Sequence, residues 1–370
     1  MTDAGFSEKG NEAGQIHHPV LVNEVLAALA CRPAAKKIYF DCTVGMGGHT
    51  EAILNATAPD GKVIGIDRDE EALRLAEKRL IALSDRLVLR KASFREIGRV
   101  ADELQIKEVD GVLFDLGISS FQLDQPERGF SFQRPGPLDM RMDRRQKESA
   151  ADWVNRLSQA ELTDLIQRYG EERWAKRIAS AILRHRQEKG AIVRTEELEG
   201  IIWRATPANS RHGRIHPATR TFQALRMAVN QEMEQLEAGL EEAISLLALG
   251  GRLAVISFHS LEDRLVKQTF RKWAGPKKEN RFAPPSEEPG SPRRFINLYK
   301  KPIVAGPEEV SFNPRARSAK LRALREPHEG AFEPEREACF PSDFFDPGRI
   351  DFDPGLSLPL AEKSDDLYRI

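Results

Sequence analysis

Short apolar runs alternate with helix-period segments at an even spacing through the first third of the chain. Strand candidates begin near Ile38, Val63, Leu87 and Val112, so successive runs start 25, 24 and 25 residues apart. Residues 70–83 carry apolar side chains at the spacing of one helix face. Such alternation is typical of repeated strand–helix units. The pattern predicts an α/β fold with a doubly wound, mainly parallel sheet of the Rossmann-like type.

The alternation stops after the fourth strand candidate. The next one, residues 252–258, starts 140 residues after Val112, far more than one crossover helix requires. A single long helix from Pro217 toward Leu249 is expected to lead into it, and residues 295–304 are predicted to add an antiparallel edge strand. Four segments with helical periodicity fill the gap, at residues 151–157, 159–169, 173–187 and 195–205.

These patterns divide the chain into two predicted domains and two tails. We predict an inserted all-helical domain at residues 127–226, within a discontinuous Rossmann-like domain of residues 15–126 and 227–326. Residues 1–14 and 327–370 lack periodicity and are predicted to be disordered. The C-terminal tail is acidic, with 11 Asp and Glu residues against 4 Lys and Arg residues.

Composition excludes several classes of protein. Of the 370 residues, 40% are hydrophobic and 31% are charged, and no apolar run approaches the roughly 20 residues that span a bilayer. We therefore expect a cytoplasmic protein with no membrane contact. The three cysteines, Cys31, Cys42 and Cys339, are far apart, so no structural zinc site, disulfide framework or other metal site is expected.

The net charge of −1 conceals an uneven distribution of charge. Residues 127–226 contain 20 Lys and Arg residues, 17 of them arginine, against 13 Asp and Glu residues. The guanidinium fork matches phosphate oxygens, so this composition favours a polyanionic partner over the alternative, a solvated helical surface. A second basic block lies at residues 313–322.

The first strand–turn–helix unit carries a candidate site for a nucleotide-like cofactor. The apolar run 37–42 ends in a glycine-rich turn, and Asp67 follows Gly45 by 22 residues. Glycines let the backbone approach a ligand, and a carboxylate at this distance binds ribose hydroxyls. The dehydrogenase motif would need glycine where the chain has Thr50. With Asp41 close by, the turn favours a cationic cofactor, S-adenosylmethionine, over NAD.

Three further candidates stand where strands end, the edge at which open parallel sheets bind ligands. Asp115 is interpreted as a cofactor ligand, as an acceptor for a substrate amine or as a cap of the next turn. Phe94 either lies against adenine or packs in the core, and His259 is either structural or catalytic. Methylation at carbon five of a pyrimidine needs a cysteine nucleophile, and the sequence has none near the fourth or fifth strand. Transfer to nitrogen or oxygen needs none, although the D-P-P-Y motif of many amino-methylating enzymes is absent at residues 115–118.

Seven motifs between residues 17 and 325 together resemble the family of ribosomal RNA small subunit methyltransferase H. They are His17-His18-Pro19-Val20-Leu21, Thr43-Val44-Gly45-Met46-Gly47-Gly48-His49, Asp115-Leu116-Gly117-Ile118-Ser119-Ser120 with Gln122-Leu123-Asp124, Arg128-Gly129-Phe130-Ser131-Phe132, Pro137-Leu138-Asp139-Met140-Arg141-Met142, Ser257-Phe258-His259-Ser260-Leu261-Glu262-Asp263 and Asn313-Pro314-Arg315-Ala316-Arg317-Ser318.

The resemblance implies a class I methyltransferase that transfers a methyl group from S-adenosylmethionine to N4 of a cytidine in the decoding region, at the P site, of 16S rRNA in the small ribosomal subunit. It implies that the inserted helical domain holds the RNA, and it makes Asp115 the candidate catalytic residue. The implied cofactor contacts are Gly47, Gly48, His49, Asp67, Phe94, Asp115 and Gln122. Phosphate contacts are predicted for Arg315, Arg317, Lys320 and Arg322.

Two alternatives belong to other classes of protein. A dehydrogenase is disfavoured by Thr50 and by the lack of a clear hydride-handling pair of residues. A non-catalytic RNA-binding protein would keep the basic insert without needing Asp67 or the glycines. The sequence leaves open whether the protein is a monomer or a homodimer.

Overall fold

The computed structural model of the 370-residue chain describes residues 19–34, 36–213, 215–275 and 295–327. The predicted disordered N-terminus lies outside these residues, and so does the predicted acidic tail apart from Pro327.

A mixed seven-stranded sheet forms the centre of the structure. Its strands are β1 (Ile38–Asp41), β2 (Lys62–Asp67), β3 (Leu87–Lys91), β4 (Val109–Asp115), β5 (Leu247–Ser257), β6 (Ile296–Asn297) and β7 (Lys320–Arg325). Their order is β3-β2-β1-β4-β5-β7-β6. The first five strands are parallel, whereas β7 runs antiparallel to β5 and β6 antiparallel to β7. The predicted doubly wound, mainly parallel sheet is confirmed.

The helices of the described residues surround this sheet and fill the long connection between β4 and β5. They are α1 (Val22–Ala28), α2 (Gly48–Ala56), α3 (Glu70–Arg79), α4 (Ile97–Glu103), α5 (Ser120–Asp124), α6 (Ala150–Arg156), α7 (Gln159–Gly170), α8 (Ala175–Lys189), α9 (Thr195–Ala205), α10 (Ala218–Val229), α11 (Glu232–Ser245), α12 (Ser260–Ala274) and α13 (Pro307–Phe312). Helices α6 to α9 begin and end within two residues of the predicted segments. None of the helices in the described ranges has the length and hydrophobicity that a membrane crossing requires.

Two predictions about the C-terminal half are wrong. The chain does not form one helix from Pro217 toward Leu249, because α10 and α11 are separated at Asn230, and Gln231 adopts a left-handed conformation with φ 50°. Asn230 is fully buried and its side chain bonds the backbone of a distant loop, donating to Met140 O at 2.8 Å. The predicted edge strand at residues 295–304 is reduced to β6 and an isolated bridge at Ile303.

Side chains of alternating strand residues enter different cores. In β1, Tyr39 packs with α1 and α2 on one face of the sheet, while Phe40 packs with α4 and α11 on the other. Leu113 and Phe114 of β4 alternate in the same way. Residues of α6 to α10 form a further apolar cluster around side chains such as Leu162. The connection from β4 to β5 therefore has a core of its own.

We predict that Leu162→Ala lowers the free energy of unfolding by about 2–5 kcal/mol, because the truncation leaves a cavity in that cluster. Leu249→Ala is the matched control, since the Leu249 side chain is 54% exposed, and should change stability by less than about 0.5 kcal/mol. Urea unfolding measures both variants. Equal losses would contradict the packing of α7.

Candidate active site at the carboxyl edge of the sheet

The turn from β1 into α2 has a backbone that only glycine accommodates well. Gly45 and Gly47 have φ values of 52° and 84°, in the region that disfavours larger residues. A Cβ atom on Gly47 would also lie 2.9 Å from Leu80 Cδ1. The turn is tied to β2, because the Gly45 amide donates to Asp67 Oδ2 at 2.8 Å. The predicted turn and carboxylate are therefore in direct contact.

Thr50, which replaces the third glycine of the dehydrogenase motif, supports a buried carboxylate. Its hydroxyl donates to Asp41 Oδ2 at 2.6 Å, and the Thr43 amide donates to Asp41 Oδ1 at 3.1 Å. Burial raises the pKa of Asp41 above its usual value, and the bond from Thr50 opposes that rise. These two hydrogen bonds compensate only in part for the water that the carboxylate loses on burial.

Asp67 ends β2 and bonds two backbone amides with its two oxygens. Besides the bond from Gly45, Oδ1 accepts from the Asp69 amide at 2.9 Å. Burial raises the pKa of Asp67 to about 6 even though both hydrogen bonds lower it. Each carboxylate oxygen can accept more than one hydrogen bond, so Asp67 retains capacity for ribose hydroxyls.

Asp115 ends β4 with one oxygen beside a histidine. Oδ2 lies 3.5 Å from His49 Nδ1, and the opposite nitrogen of that ring donates to Val20 O at 2.9 Å. Within the described part of the chain, Asp115 Oδ1 is buried without a hydrogen-bond partner. Burial raises the pKa of Asp115 to about 6, while His49 lowers it. A buried acceptor without a donor is costly in a folded protein and marks a place for a ligand donor.

Phe94 and Gly48 lie beside this edge in less polar surroundings. The half-buried Phe94 ring meets the Phe114 ring edge to face, with centroids 5.6 Å apart. Part of its surface therefore packs in the core and part remains accessible, which leaves both predicted roles open. Gly48 begins α2 where a Cβ atom would lie 3.0 Å from Pro19 Cγ.

Gln122 belongs to a buried network that the sequence did not predict. Its Oε1 accepts from the Ser119 amide at 3.2 Å, and its Nε2 donates to Asp69 Oδ2 at 2.8 Å. Arg128 Nη2 donates to the same oxygen at 2.7 Å and to Met142 O at 3.1 Å. The Arg128 side chain is only 1% exposed. Arg128 begins the motif at residues 128–132, but its burial could not be predicted, because the sequence pattern does not distinguish a buried arginine from an exposed one.

His259 caps α12 and joins a second buried cluster after β5. Its Nε2 lies 2.9 Å from Glu262 Oε1, and Arg226 donates to both oxygens of Glu232 at 2.8 Å. Burial alone would raise the pKa of Glu262, but His259 and Arg226 hold it below its usual value. Atoms of Glu232, His259 and Glu262 lie within 4.8 Å of one another, as metal ligands can. Because Arg226 already engages both Glu232 oxygens, we assign no metal to this cluster.

The first two predicted RNA contacts lie on an exposed turn near α5. Arg315 donates to Asp124 at 3.0 Å, an exposed ion pair between this turn and the last residue of α5. Arg317 is also exposed. Since Gln122 lies in the same short helix, the turn is close to the carboxyl edge of the sheet.

The other two predicted contacts lie on β7 and face a carboxylate. Arg322 donates to both oxygens of Asp263 at 2.7 and 3.2 Å and is 14% exposed. Lys320 lies 3.8 Å from the same side chain. The four predicted phosphate contacts therefore differ in how freely their charges can meet RNA.

The fold and site are those of a class I methyltransferase. The sheet is mainly parallel and ends in the antiparallel strands β7 and β6, a glycine turn follows β1, and carboxylates end β2 and β4. The MraW methylase family model matches residues 14–327. Proteins named ribosomal RNA small subunit methyltransferase H are 49% identical in Symbiobacterium thermophilum and 52% identical in Geobacter sulfurreducens, each over 312 residues. These alignments cover 83% of this chain and 96% and 97% of those relatives. The chain belongs to this methyltransferase family.

The solved structure of an rRNA methylase from Streptococcus thermophilus is a more distant likeness. It has a TM-score of 0.36 and 11% sequence identity, over 81% of this chain and 92% of that one.

S-adenosylmethionine is the cofactor of this methyltransferase, and the carboxylates of the site suit its charge. Asp41 raises the pKa of both Asp67 and Asp115, so the three carboxylates share one region of negative potential. The cofactor brings a cationic sulfonium and ammonium group, which would offset the cost of ionising these buried acids.

We predict that Asp67→Asn weakens cofactor affinity about 10- to 100-fold at pH 7.5, because hydrogen bonds to charged groups contribute about 1.5–3 kcal/mol. Affinity of the unaltered protein should fall as pH drops through about 6, since protonation of Asp67 removes the favoured acceptor. In the variant the cofactor affinity should fall less steeply with decreasing pH, because Asp115 still becomes protonated in this range and the substituted amide does not. Calorimetric titration measures both, and exposed Asp60→Asn is the control. Unchanged affinity in Asp67→Asn would refute the assignment.

Proposed function

We propose that this methyltransferase transfers a methyl group from S-adenosylmethionine to the exocyclic N4 of a cytidine in the decoding region of 16S rRNA. The observation that carries the proposal is Asp115 Oδ1, a buried acceptor at the end of β4 that has no partner among the described residues. The name of its relatives, ribosomal RNA small subunit methyltransferase H, supports the choice of substrate.

An exocyclic amine is a donor that suits this acceptor. Asp115 would accept one N4 hydrogen and help the nitrogen lone pair to leave conjugation with the ring. The lone pair then forms the N–C bond while the C–S bond breaks, and S-adenosylhomocysteine leaves. The methylated nitrogen releases one proton to Asp115 or to water. No nucleophilic side chain is required, since the sulfonium is already activated and the site chiefly aligns the reactants.

Methylation at carbon five is the competing reaction and would need a thiolate. The expectation that no cysteine lies near the fourth strand is wrong for the folded chain, because β1 pairs with β4 and the Cys42 amide donates to Leu113 O at 2.9 Å. The thiol is buried, and burial raises its pKa well above the usual value. A protonated thiol is a poor nucleophile, which favours the nitrogen acceptor.

In this proposal the two predicted domains divide the work. Residues 15–126 and 227–326 bind the cofactor, and residues 127–226 hold the RNA while the target base leaves its stack. The cofactor contacts are Gly47, Gly48, His49, Asp67, Phe94, Asp115 and Gln122. Gln122 would act with its second amide hydrogen or the second lone pair of Oε1, because Asp69 and Ser119 each engage one position of the side-chain amide.

The first test is transfer of labelled methyl groups to small ribosomal subunits that lack their own modification, followed by mass spectrometry of the nucleosides. We expect N4-methylcytidine, and a rate about 100-fold lower in Asp115→Asn, because a positioned acceptor typically contributes 10²- to 10⁴-fold. Glu108→Gln, an exposed change just before β4, should keep the full rate. A 5-methylcytidine product, or an unchanged rate in Asp115→Asn, would count against the proposal.

Arg315→Ala combined with Arg317→Ala should weaken RNA binding and reduce its salt dependence. Each lost phosphate contact lowers the slope of log K against log salt by about 0.7–0.9, so we expect a reduction of about 1.5. Binding is measured by filter retention at several salt concentrations. Lys62→Ala with Lys107→Ala removes the same charge from the opposite edge of the sheet. If both pairs of changes gave equal slopes, the RNA would contact another surface.

A further inference from the structure

A cavity of about 210 Å³ opens between α8 and α9. Arg184, His185 and Lys189 of α8 line it, together with Arg204 of α9. Glu188 is the carboxylate among its lining residues. The cavity therefore has an excess of positive charge.

Small side chains give the cavity its depth. Ala181 and Ala205 are nearly buried on the facing sides of the two helices and line its floor, beside the buried Ile201. The depression is thus set by helix packing and not by the conformation of a loop.

The cations of the cavity contrast with two ion-paired arginines of the same helical segment. Arg156 pairs with Glu148 at 3.1 Å, and Arg194 pairs with Glu196 at 2.7 Å. In the ranges that the structure describes, the side chains of Arg184, Lys189 and Arg204 make no ion pair or hydrogen bond. Lys189 and Arg204 lie in the last turns of their helices, where the helix dipole stabilises a positive charge. Arg184 lies before the last turn of α8, so the dipole does not account for it.

A group of half-buried aromatic rings begins at Trp203, the residue before Arg204 in α9. Trp203 stacks on His216 with centroids 5.3 Å apart, and His216 stacks on Phe132 at 4.7 Å. The Arg211 guanidinium lies 5.9 Å from the centre of the Trp203 ring. Cations next to aromatic and arginine surfaces are typical of sites that bind single-stranded nucleic acid. This neighbourhood favours an RNA backbone over a free small anion.

We infer that the cavity between α8 and α9 binds one backbone phosphate of the RNA substrate, at a contact separate from the basic block 313–322. The inference rests on the proposed RNA substrate. The guanidinium groups of Arg184 and Arg204 can each donate two hydrogen bonds to phosphate oxygens, and the Lys189 ammonium adds a further positive charge. The volume is sufficient for one phosphate group.

The test replaces Arg184, Lys189 and Arg204 together by alanine in the full chain and measures affinity for 16S rRNA against salt. Loss of one phosphate contact should lower the slope by about 1 and the affinity about 10-fold at 0.1 M salt. The triple variant Lys62→Ala, Lys78→Ala and Lys107→Ala removes equal charge from exposed positions outside the helical segment and should keep both values. Arg184→Lys with Arg204→Lys should also keep the slope.

Three results would overturn the inference. An unchanged slope of log affinity against log salt would show that the cavity makes no phosphate contact. A decrease of about 2 to 3 in that slope would mean that the three cations contact separate phosphates. Saturable binding of inorganic phosphate alone, with RNA binding unaltered in the alanine variant, would indicate a small-anion site. Methyl transfer distinguishes this failure from that of the proposed function. Formation of N4-methylcytidine with an unchanged slope would refute only the cavity contact. A lowered slope without that product would refute only the proposed reaction.

Discussion

The buried ion pair between Arg128 and Asp69 holds together the parts of the chain that surround the site. Asp69 caps α3 after β2, while Arg128 belongs to the connection that leaves β4 and also bonds the carbonyls of Arg141 and Met142. A buried pair of this kind adds little net stability, but loss of one partner strands a charge. Its main effect is positional, because it keeps the start of the helical connection over the carboxyl edge. Gln122 joins the same carboxylate and is fixed by it.

The carboxylates at that edge show a conflict between stability and binding. Asp67 and Asp115 have pKa values of about 6 because burial removes water around them. The folded chain therefore binds more protons than the unfolded chain between about pH 4 and 6, and stability without a ligand falls as pH rises through that window. At neutral pH the site holds ionised acids at a cost, and a cationic ligand offsets that cost.

The sequence predicted the parts of the fold that depend on local pattern. The starts of β1 to β3, the glycine turn and the helices α6 to α9 follow from short-range periodicity, whereas β4 and β5 begin at Val109 and Leu247, before the predicted Val112 and residue 252. The break at Asn230 was missed because its partner Met140 is distant in the chain. Strand β7 was missed because its charges conceal the alternation of Leu321 and Ala323, and Asp263 neutralises Arg322 only in the folded chain. The contact of Asp67 with the turn was predictable, whereas the burial of Arg128 was not. The roles of the site residues and the N4 acceptor stay predictions.

The connection between β4 and β5 also sets a condition on synthesis of the chain. These strands are neighbours, with Phe114 opposite Val255, yet the whole helical connection emerges from the ribosome between them. At about 5–20 residues per second, β4 waits on the order of ten seconds for its partner. During that time its apolar edge is open to pairing with other chains. The length of the helical connection therefore sets how long the growing polypeptide carries β4 without the strand that completes its pairing.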